Sequence, residues 1–398
     1  MTNDSLHMPG PPLVEPHEPM KNDGRDNANN ELIVYQGMKI ITSKNHCYRA
    51  DQNLGKGASG SVFKVTRLTP DDFKEIGTFA LKISQSDFQS VHRLEYECKV
   101  LEFLKKNCGH VDKSCFFHYE ETFLYFGHRC LVMEYLDKSL YDLLTENNNI
   151  GFDLGFIQKV MKSVLQTLAV FDQLQIIHCD IKPENILRCI KNKDEFKIID
   201  FGLCSLVDEP TNHHIQSRYY RAPEVVLDMP FSCKADIWSA GCVAAEMFFG
   251  VPIFPANCEV HLIYLIDRMV GPFQNSFIQN IDNPGQLFTR DYKLKSVLKL
   301  NQYATESFEE GHSCFIFKSF KDNAMSYRGA TDINISFEMD TDGNSLNFQQ
   351  LTYGLSEKEI NDRVLFIDFV LQMLHIDPDL RPSPDILLEH PFMLADFH

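Results

Sequence analysis

The 398-residue chain has no apolar stretch at its N-terminus and no apolar run long enough to span a bilayer. Neither a secretory signal nor a transmembrane helix is therefore expected. No two of its 12 cysteines form a C-x-x-C pair, and metal-site spacings are missing, which argues against a structural zinc site. The scattered thiols read as reduced, which places the chain in cytosol or nucleus. Positive charge is scarce: 38 Lys and Arg face 55 Asp and Glu, for a net charge of −17. That balance opposes non-specific nucleic-acid binding and attachment to an anionic membrane. It serves solubility and would favour basic peptide partners. One tryptophan stands against 31 phenylalanines, and 44% of the chain is hydrophobic, enough for a packed core in one large two-lobed domain or two ordinary ones.

Residues 1–30 are rich in Pro, Asn, Asp and Gly and lack apolar periodicity, so they read as a disordered tail. Residues 31–47 read as an extended leader. Phe79, Leu81 and Ile83 alternate with Ala80 and Lys82, a strand pattern. Leu94, Cys98, Leu101 and Leu104 recur at helical spacing. Ile157, Val160, Met161, Val164, Leu165 and Leu168 predict a strongly amphipathic helix. Ile237, Ala240, Val243, Ala244 and Met247 predict another, with Gly250 as C-cap. Val364, Ile367, Val370, Leu371 and Leu374 mark a third. Strands with one helix thus precede a mainly helical region, and residues from about 283 to 350 read as a polar insertion. No internal repeat is visible.

The chemistry concentrates in Ile177-His178-Cys179-Asp180-Ile181-Lys182-Pro183-Glu184-Asn185. Asp180 can engage a hydroxyl as catalytic base, Lys182 can neutralise a transferring phosphoryl group, and Asn185 can hold Mg²⁺. Asp200-Phe201-Gly202 supplies a second metal-binding carboxylate. Leu54-Gly55-Lys56-Gly57-Ala58-Ser59-Gly60-Ser61-Val62 is a glycine-rich loop whose backbone can approach phosphates. Alone it would fit a dinucleotide loop or a plain hairpin equally well; the flanking strands favour a hairpin over phosphates. Lys82, on a half-buried strand, needs an anionic partner. Glu95 and Glu97 are both candidates, and Glu97 lies on the better-facing side of its helix. Val62 and Ala80 would roof an adenine and Leu187 would floor it. Leu131 to Leu136 would form the hinge with Met133 as gatekeeper and Glu134 and Leu136 beside it, although any of these could be plain core. Glu224 of Ala222-Pro223-Glu224 and Arg381 would form a buried anchoring ion pair, and Asp236 to Gly241 a helix supporting the catalytic loop. Cys204 is either a modifiable thiol or a buried structural one.

These motifs, in this order, resemble the eukaryotic protein kinases over residues 48–394. The resemblance implies an α+β bilobal fold: an N-lobe at 48–134 with a small antiparallel sheet and one main helix, and a larger, mostly helical C-lobe at 137–394. It implies ATP and Mg²⁺ as cofactors and protein substrates, with no nucleic acid or membrane as partner and a monomer favoured. His178-Cys179-Asp180 and Ile215-Gln216-Ser217-Arg218-Tyr219-Tyr220-Arg221 are similar to the dual-specificity tyrosine-regulated kinases and, more closely, to the homeodomain-interacting protein kinases of the CMGC group. That likeness implies Ser/Thr phosphorylation, often with Pro after the target, and Lys182 agrees with Ser/Thr specificity. The chain is expected to lack the long C-terminal region of the latter kinases. Asn212-His213-His214 stands where those families carry an autophosphorylated Tyr, and Cys179 replaces the Arg that clamps a phosphate. Either the segment works without phosphorylation, or Thr211, Ser217, Tyr219 or Tyr220 orders it through Arg218 or Arg221. The rival reading is a catalytically weak pseudokinase scaffold of the same fold.

Overall fold

A computed structural model describes residues 10–57, 60–107, 117–207, 215–309, 319–327 and 352–397. The chain divides into a first unit, residues 1–137 with 200–202, and a second, residues 138–199 with 203–398.

In the first unit, strands β1 (Lys39–Ile41), β2 (Cys47–Gly57), β3 (Gly60–Leu68), β4 (Glu75–Ser84), β5 (Tyr119–Tyr125) and β6 (His128–Glu134) form one antiparallel sheet, ordered β1-β2-β3-β4-β6-β5. Helix α1 spans Phe88–Asn107 and buries Leu94, Glu97, Cys98, Leu101 and Leu104. Register decides which residues share a face, since directly paired residues point the same way and alternate ones oppose. Val62 pairs with Lys82, Lys82 with Leu131 and Ala80 with Met133, so these five line one face. Phe63, Leu81, Ile83, Cys130 and Val132 line the other and belong to the unit's core.

Residues 10–30 depart from the disordered tail their composition suggests. Val14, Leu32, Ile33 and Val34 enter that same core, and Asp26 and Asn27 are fully buried. The polar residues serve as internal fasteners. The Asn27 side chain donates to the Pro16 carbonyl (2.7 Å) and accepts the backbone N–H groups of Asn29 and Glu31. Asp26 Oδ1 meets His128 Nε2 at 2.9 Å, and its Oδ2 accepts the Ser86 hydroxyl at 2.6 Å. His128 Nδ1 donates to the Ser84 carbonyl at 2.7 Å. Residues 1–9 lie outside the described residues.

The second unit is mainly helical, and twelve helices are found among the described residues of the whole chain. They are α2 (Leu140–Glu146), α3 (Leu154–Gln173), α4 (Pro223–Val226), α5 (Lys234–Phe249), α6 (Glu259–Met269), α7 (Asn275–Ile278), α8 (Val297–Leu300), α9 (Phe320–Ser326), α10 (Glu357–Met373), α11 (Pro384–Leu388) and α12 (Pro391–Leu394), besides α1. Short strands β7 (Ile176–Ile177) and β10 (Ser205–Leu206) pair, as do β8 (Ile186–Arg188) and β9 (Phe196–Ile198). Asp153 caps α3 and Ser356 caps α10 with a reciprocal bond from Glu359. Every residue of α5 from Ala235 to Phe249 is buried, so this helix is core on all sides. It ends at Gly250, where φ is 80° and a Cβ would lie 1.9 Å from the Asn149 carbonyl; only glycine fits.

In α10 the apolar face differs from the expected one. Phe366, Ile367, Phe369, Val370 and Met373 are buried, whereas Val364 is exposed. The expected insertion is partly built in: Leu300 and Phe308 form a small core with Cys258. Its residues 310–318 and 328–350 lie outside the described residues.

Removing one partner of a buried hydrogen-bonded pair leaves the other unsatisfied and costs about 1–3 kcal/mol. Asp26→Ala is expected to lower the urea midpoint accordingly, while Asp23→Ala, on a side chain 91% exposed, leaves it in place. Equal midpoints for the two variants would remove the fastening role.

Candidate active site

In the first unit the glycine-rich segment is the turn between β2 and β3. Gly60 has φ 147°, and a Cβ there would meet the Ile83 carbonyl at 2.0 Å, so the backbone of β4 passes where a side chain would stand. Gly55 has φ 152° and donates its N–H to Asn53 Oδ1 at 2.7 Å. Leu54 is exposed; Ala58 and Ser59 lie outside the described residues. Lys82 is buried and binds Glu97 Oε2 at 2.7 Å and Asp200 Oδ1 at 3.0 Å. Glu95 instead lies exposed, 4.0 Å from Lys99. Burial works against the Lys82 ammonium, but the two carboxylates outweigh it and hold the group above the ordinary lysine range. Ala80, Met133 and Leu136 are buried, Val62 is half-buried, and Glu134 Oε1 accepts the His118 N–H at 2.7 Å.

In the second unit the loop that carries Asp180 follows β7. Asp236 of α5 accepts the backbone N–H groups of His178 (2.6 Å) and Cys179 (3.1 Å). Those bonds hold Cys179 at φ 68°, a conformation side chains rarely adopt. His178 Nδ1 accepts the Asp180 N–H at 3.2 Å, which leaves Nε2 to donate to the Ile199 carbonyl at 3.1 Å. Asp180 Oδ2 accepts from Lys182 Nζ (2.8 Å) and Asn185 Nδ2 (3.0 Å), and its Oδ1 accepts the Ser217 hydroxyl (2.8 Å). Lys182 Nζ also reaches Ser217 Oγ at 3.2 Å. One carboxylate thus organises an ammonium, an amide and a hydroxyl. Leu187 is half-buried in β8, paired with Lys197 of β9.

The family description "Protein kinase domain" matches residues 48–393. The chain is 31% identical over 392 residues to the dual specificity protein kinase YAK1 of Saccharomyces cerevisiae, covering 96% of this chain and 46% of that one. It is 30% identical over 389 residues to the serine/threonine-protein kinase ppk15 of Schizosaccharomyces pombe, covering 97% and 69%. The chain belongs to the protein kinase family. A third relative, the human dual specificity tyrosine-phosphorylation-regulated kinase 4, is 30% identical over 349 residues, covering 87% of this kinase and 57% of the relative. The chain therefore spans about half the length of the yeast YAK1 and human relatives.

The kinase holds the segment before Glu224 by buried hydrogen bonds. Gln216 is buried at φ 64°, and its N–H donates to the Cys179 carbonyl at 2.8 Å. Its side chain donates to Ala235 O and Ser239 Oγ and accepts the Ala222 N–H. Arg221 donates to the Gln216 carbonyl (2.8 Å from Nη2) and to Glu259 (2.7 Å). Arg218 donates to the Asn257 carbonyl. Tyr220 is buried against Glu246 (2.7 Å), Tyr219 is exposed, and Thr211 and 212–214 lie outside the described residues. Glu224 and Arg381 form a bidentate pair at 2.6 and 2.7 Å. The remaining Arg381 donors reach the carbonyls of His375, Lys234 and Ile376. Cys179 and Cys204 are buried, and burial pushes the Cys179 thiol well up, aided by Asp236 and Asp180.

Sequence reasoning named Ser217 only as a phosphorylation candidate and gave Gln216 no role. The available signal was a Gln-Ser pair at fixed distance from both Asp180 and Ala222-Pro223-Glu224.

Burial pushes the Glu246 carboxyl up to about 7, against the Tyr220 hydrogen bond and with Glu184 adding to the rise. Its unfolded-chain value is 4.5. Stability from the neutral form is therefore present below about pH 4.5 and lost as pH rises through about 7. Glu246→Gln keeps an acceptor for Tyr220 without the charge. The variant's stability relative to wild type is expected to increase between pH 5 and about 7 and to level off above that in denaturant titrations; a constant difference would contradict the assignment.

Proposed function

We propose that this kinase phosphorylates serine and threonine hydroxyls of protein substrates and favours proline immediately after the target. A protein kinase domain takes ATP as phosphoryl donor. The observation that carries the reading is the Asp180 carboxylate with Lys182, Asn185 and a serine hydroxyl at 2.8, 3.0 and 2.8 Å from its oxygens. A carboxylate that already accepts the Ser217 O–H has the orientation and acceptor capacity to take a substrate hydroxyl and its proton. Lys182 would offset charge on the transferring phosphoryl group. Lys82, fixed by Glu97, would grip the α- and β-phosphates, and the glycine-rich turn would cover them. Val62, Ala80, Met133, Glu134, Leu136 and Leu187 would enclose and address the adenine, with Leu54 at the rim.

Asn185 and Asp200 would hold Mg²⁺. Both offer hard oxygen donors: the Asn185 amide directs its nitrogen to Asp180, leaving Oδ1 as acceptor, and the Asp200 side chain is 43% exposed. No cluster of three or more metal-ligating side chains competes among the described residues. When bound, the ion would neutralise charge on the β- and γ-phosphates. Nine cysteines among the described residues are buried free thiols, which supports a reducing compartment, cytosol or nucleus.

The family likeness carries the preference for proline, and it is supported by the bonding of Gln216. Its carbonyl is already engaged by Arg221. A substrate amide N–H brought against that carbonyl finds no acceptor, whereas proline has no N–H to strand. An unpaired buried donor costs about 1–3 kcal/mol, so replacing proline by alanine after the target is expected to lower kcat/KM about tenfold or more. Equal kcat/KM for matched Ser-Pro and Ser-Ala peptides would overturn this preference.

The activity itself is tested by phosphate transfer from Mg·ATP to a basic Ser/Thr peptide. Asp180→Asn is expected to reduce turnover by about 10²–10⁴ with ATP still bound. Undiminished turnover in the variant would remove Asp180 from the mechanism. ATP binding without transfer by the wild type would leave a scaffold.

A further inference from the structure

The N-terminal segment lies outside the residues 48–393 that match the kinase domain, yet it holds both strands of the glycine-rich hairpin. On β3, Glu31 Oε1 accepts the Ser61 hydroxyl at 3.1 Å. The same oxygen binds Lys56 Nζ at 3.0 Å, and Lys56 stands between Gly55 and Gly57. Glu31 is buried while the Lys56 side chain is 49% exposed, so the carboxylate is the fixed partner and the loop lysine the captured one. Asn27 Nδ2 donates to Glu31 Oε2 at 3.1 Å, and Asn27 Oδ1 accepts the Glu31 N–H, so the carboxylate is itself held in place. Burial works to raise the Glu31 carboxyl, but Asn27, Lys56 and Ser61 together hold it below the usual glutamate range. On β2, a second link is independent of the first. Asn53 Nδ2 donates to the Leu13 carbonyl at 2.6 Å, and Asn53 Oδ1 accepts the Gly55 N–H at the irregularity in the β2–β3 register.

We propose that Glu31 is a positioning residue for the glycine-rich loop, acting through Lys56 and Ser61, so that residues 10–31 set the affinity of this kinase for the phosphates of its nucleotide. The proposal rests on the reading of that loop as the phosphate cover. The alternative, a segment that only adds to the core, is served by Val14 and Leu32 to Val34; it gives no reason for a buried carboxylate to bond a lysine that stands between two of the loop's glycines. Fixing the lysine stem and the hairpin beforehand lowers the ordering cost when phosphates arrive.

The test compares binding of Mg·ATP and of adenosine by calorimetry in full-length wild type, Glu31→Gln, Lys56→Met and the double variant. Adenosine lacks the phosphates, so a change in the phosphate cover falls mainly on the ATP arm. Glu31→Gln is expected to weaken ATP about five- to tenfold, the scale of one ordinary net hydrogen bond, raise KM for ATP more than it lowers kcat, and affect adenosine far less. In the Lys56→Met background the effect should shrink, because the two substitutions share one interaction. An unchanged or tighter ATP affinity in Glu31→Gln, equal weakening of both ligands, or an undiminished effect without Lys56 would each overturn the proposal. Failure of the underlying reading is distinct: the wild type would then bind ATP no more tightly than adenosine.

Discussion

The loop that carries Asp180 depends on one carboxylate buried inside α5. Asp236 accepts two consecutive backbone N–H groups, and burial pushes its carboxyl up to about 7 despite them, with Asp180 adding to the rise. Consecutive N–H groups converge on one acceptor only when the chain turns sharply, and the turn appears as the positive φ of Cys179. From there the geometry propagates. His178 is oriented by Ile199 and receives the Asp180 N–H, and the Cys179 carbonyl receives the Gln216 N–H. Burial of α5 on every side fixes where that carboxyl sits, and the two N–H groups offset part of its desolvation.

The buried ion pairs differ in kind. Arg381 is saturated: five donors meet five acceptors, with Trp238 5.1 Å beneath the guanidinium. Such closure suits an anchor, because every displacement breaks several bonds at once. Lys82 is also buried, but one of its two carboxylates, Asp200, keeps a side chain 43% exposed. That group can exchange partners at little desolvation cost, whereas the fully enclosed Arg381–Glu224 pair cannot.

Much of this was legible from residue order alone. Periodicity located α3 and α5, and facing on α1 selected Glu97 over Glu95, because a helix buries one stripe and Glu97 lies beside Leu101 and Leu104. Residues 10–30 were misread because composition cannot distinguish Asn and Asp that are solvated from Asn and Asp that fasten a backbone; Asp26 and Asn27 do the latter, and the histidine that pairs with Asp26 is 102 residues away. Val364 was placed on the wrong side of α10 because aliphatic spacing omitted Phe366 and Phe369, which fix the buried face. Ser217 and Gln216 were hidden for a related reason: their partners Asp180, Ala235 and Ser239 come from elements brought together only by folding.

The replacement of arginine by Cys179 gains a physical meaning from these contacts. A guanidinium at that position would need an anion; the buried neutral thiol needs none. The described part of the segment before Glu224 is held by the Gln216 amide, by Arg221 on the Gln216 carbonyl and Glu259, and by Tyr220 on Glu246. Arg221 thus already has its anion, and Tyr220 is buried, so neither suits the phosphate-ordered arrangement that these residues left open in the sequence. Within the described residues, the Gln216 side chain makes three neutral hydrogen bonds there. Such bonds are insensitive to a phosphate and to ionic strength. They also tie the segment to the loop that carries Asp180 through one residue, since Gln216 presents its carbonyl to Arg221 and its backbone N–H to the Cys179 carbonyl.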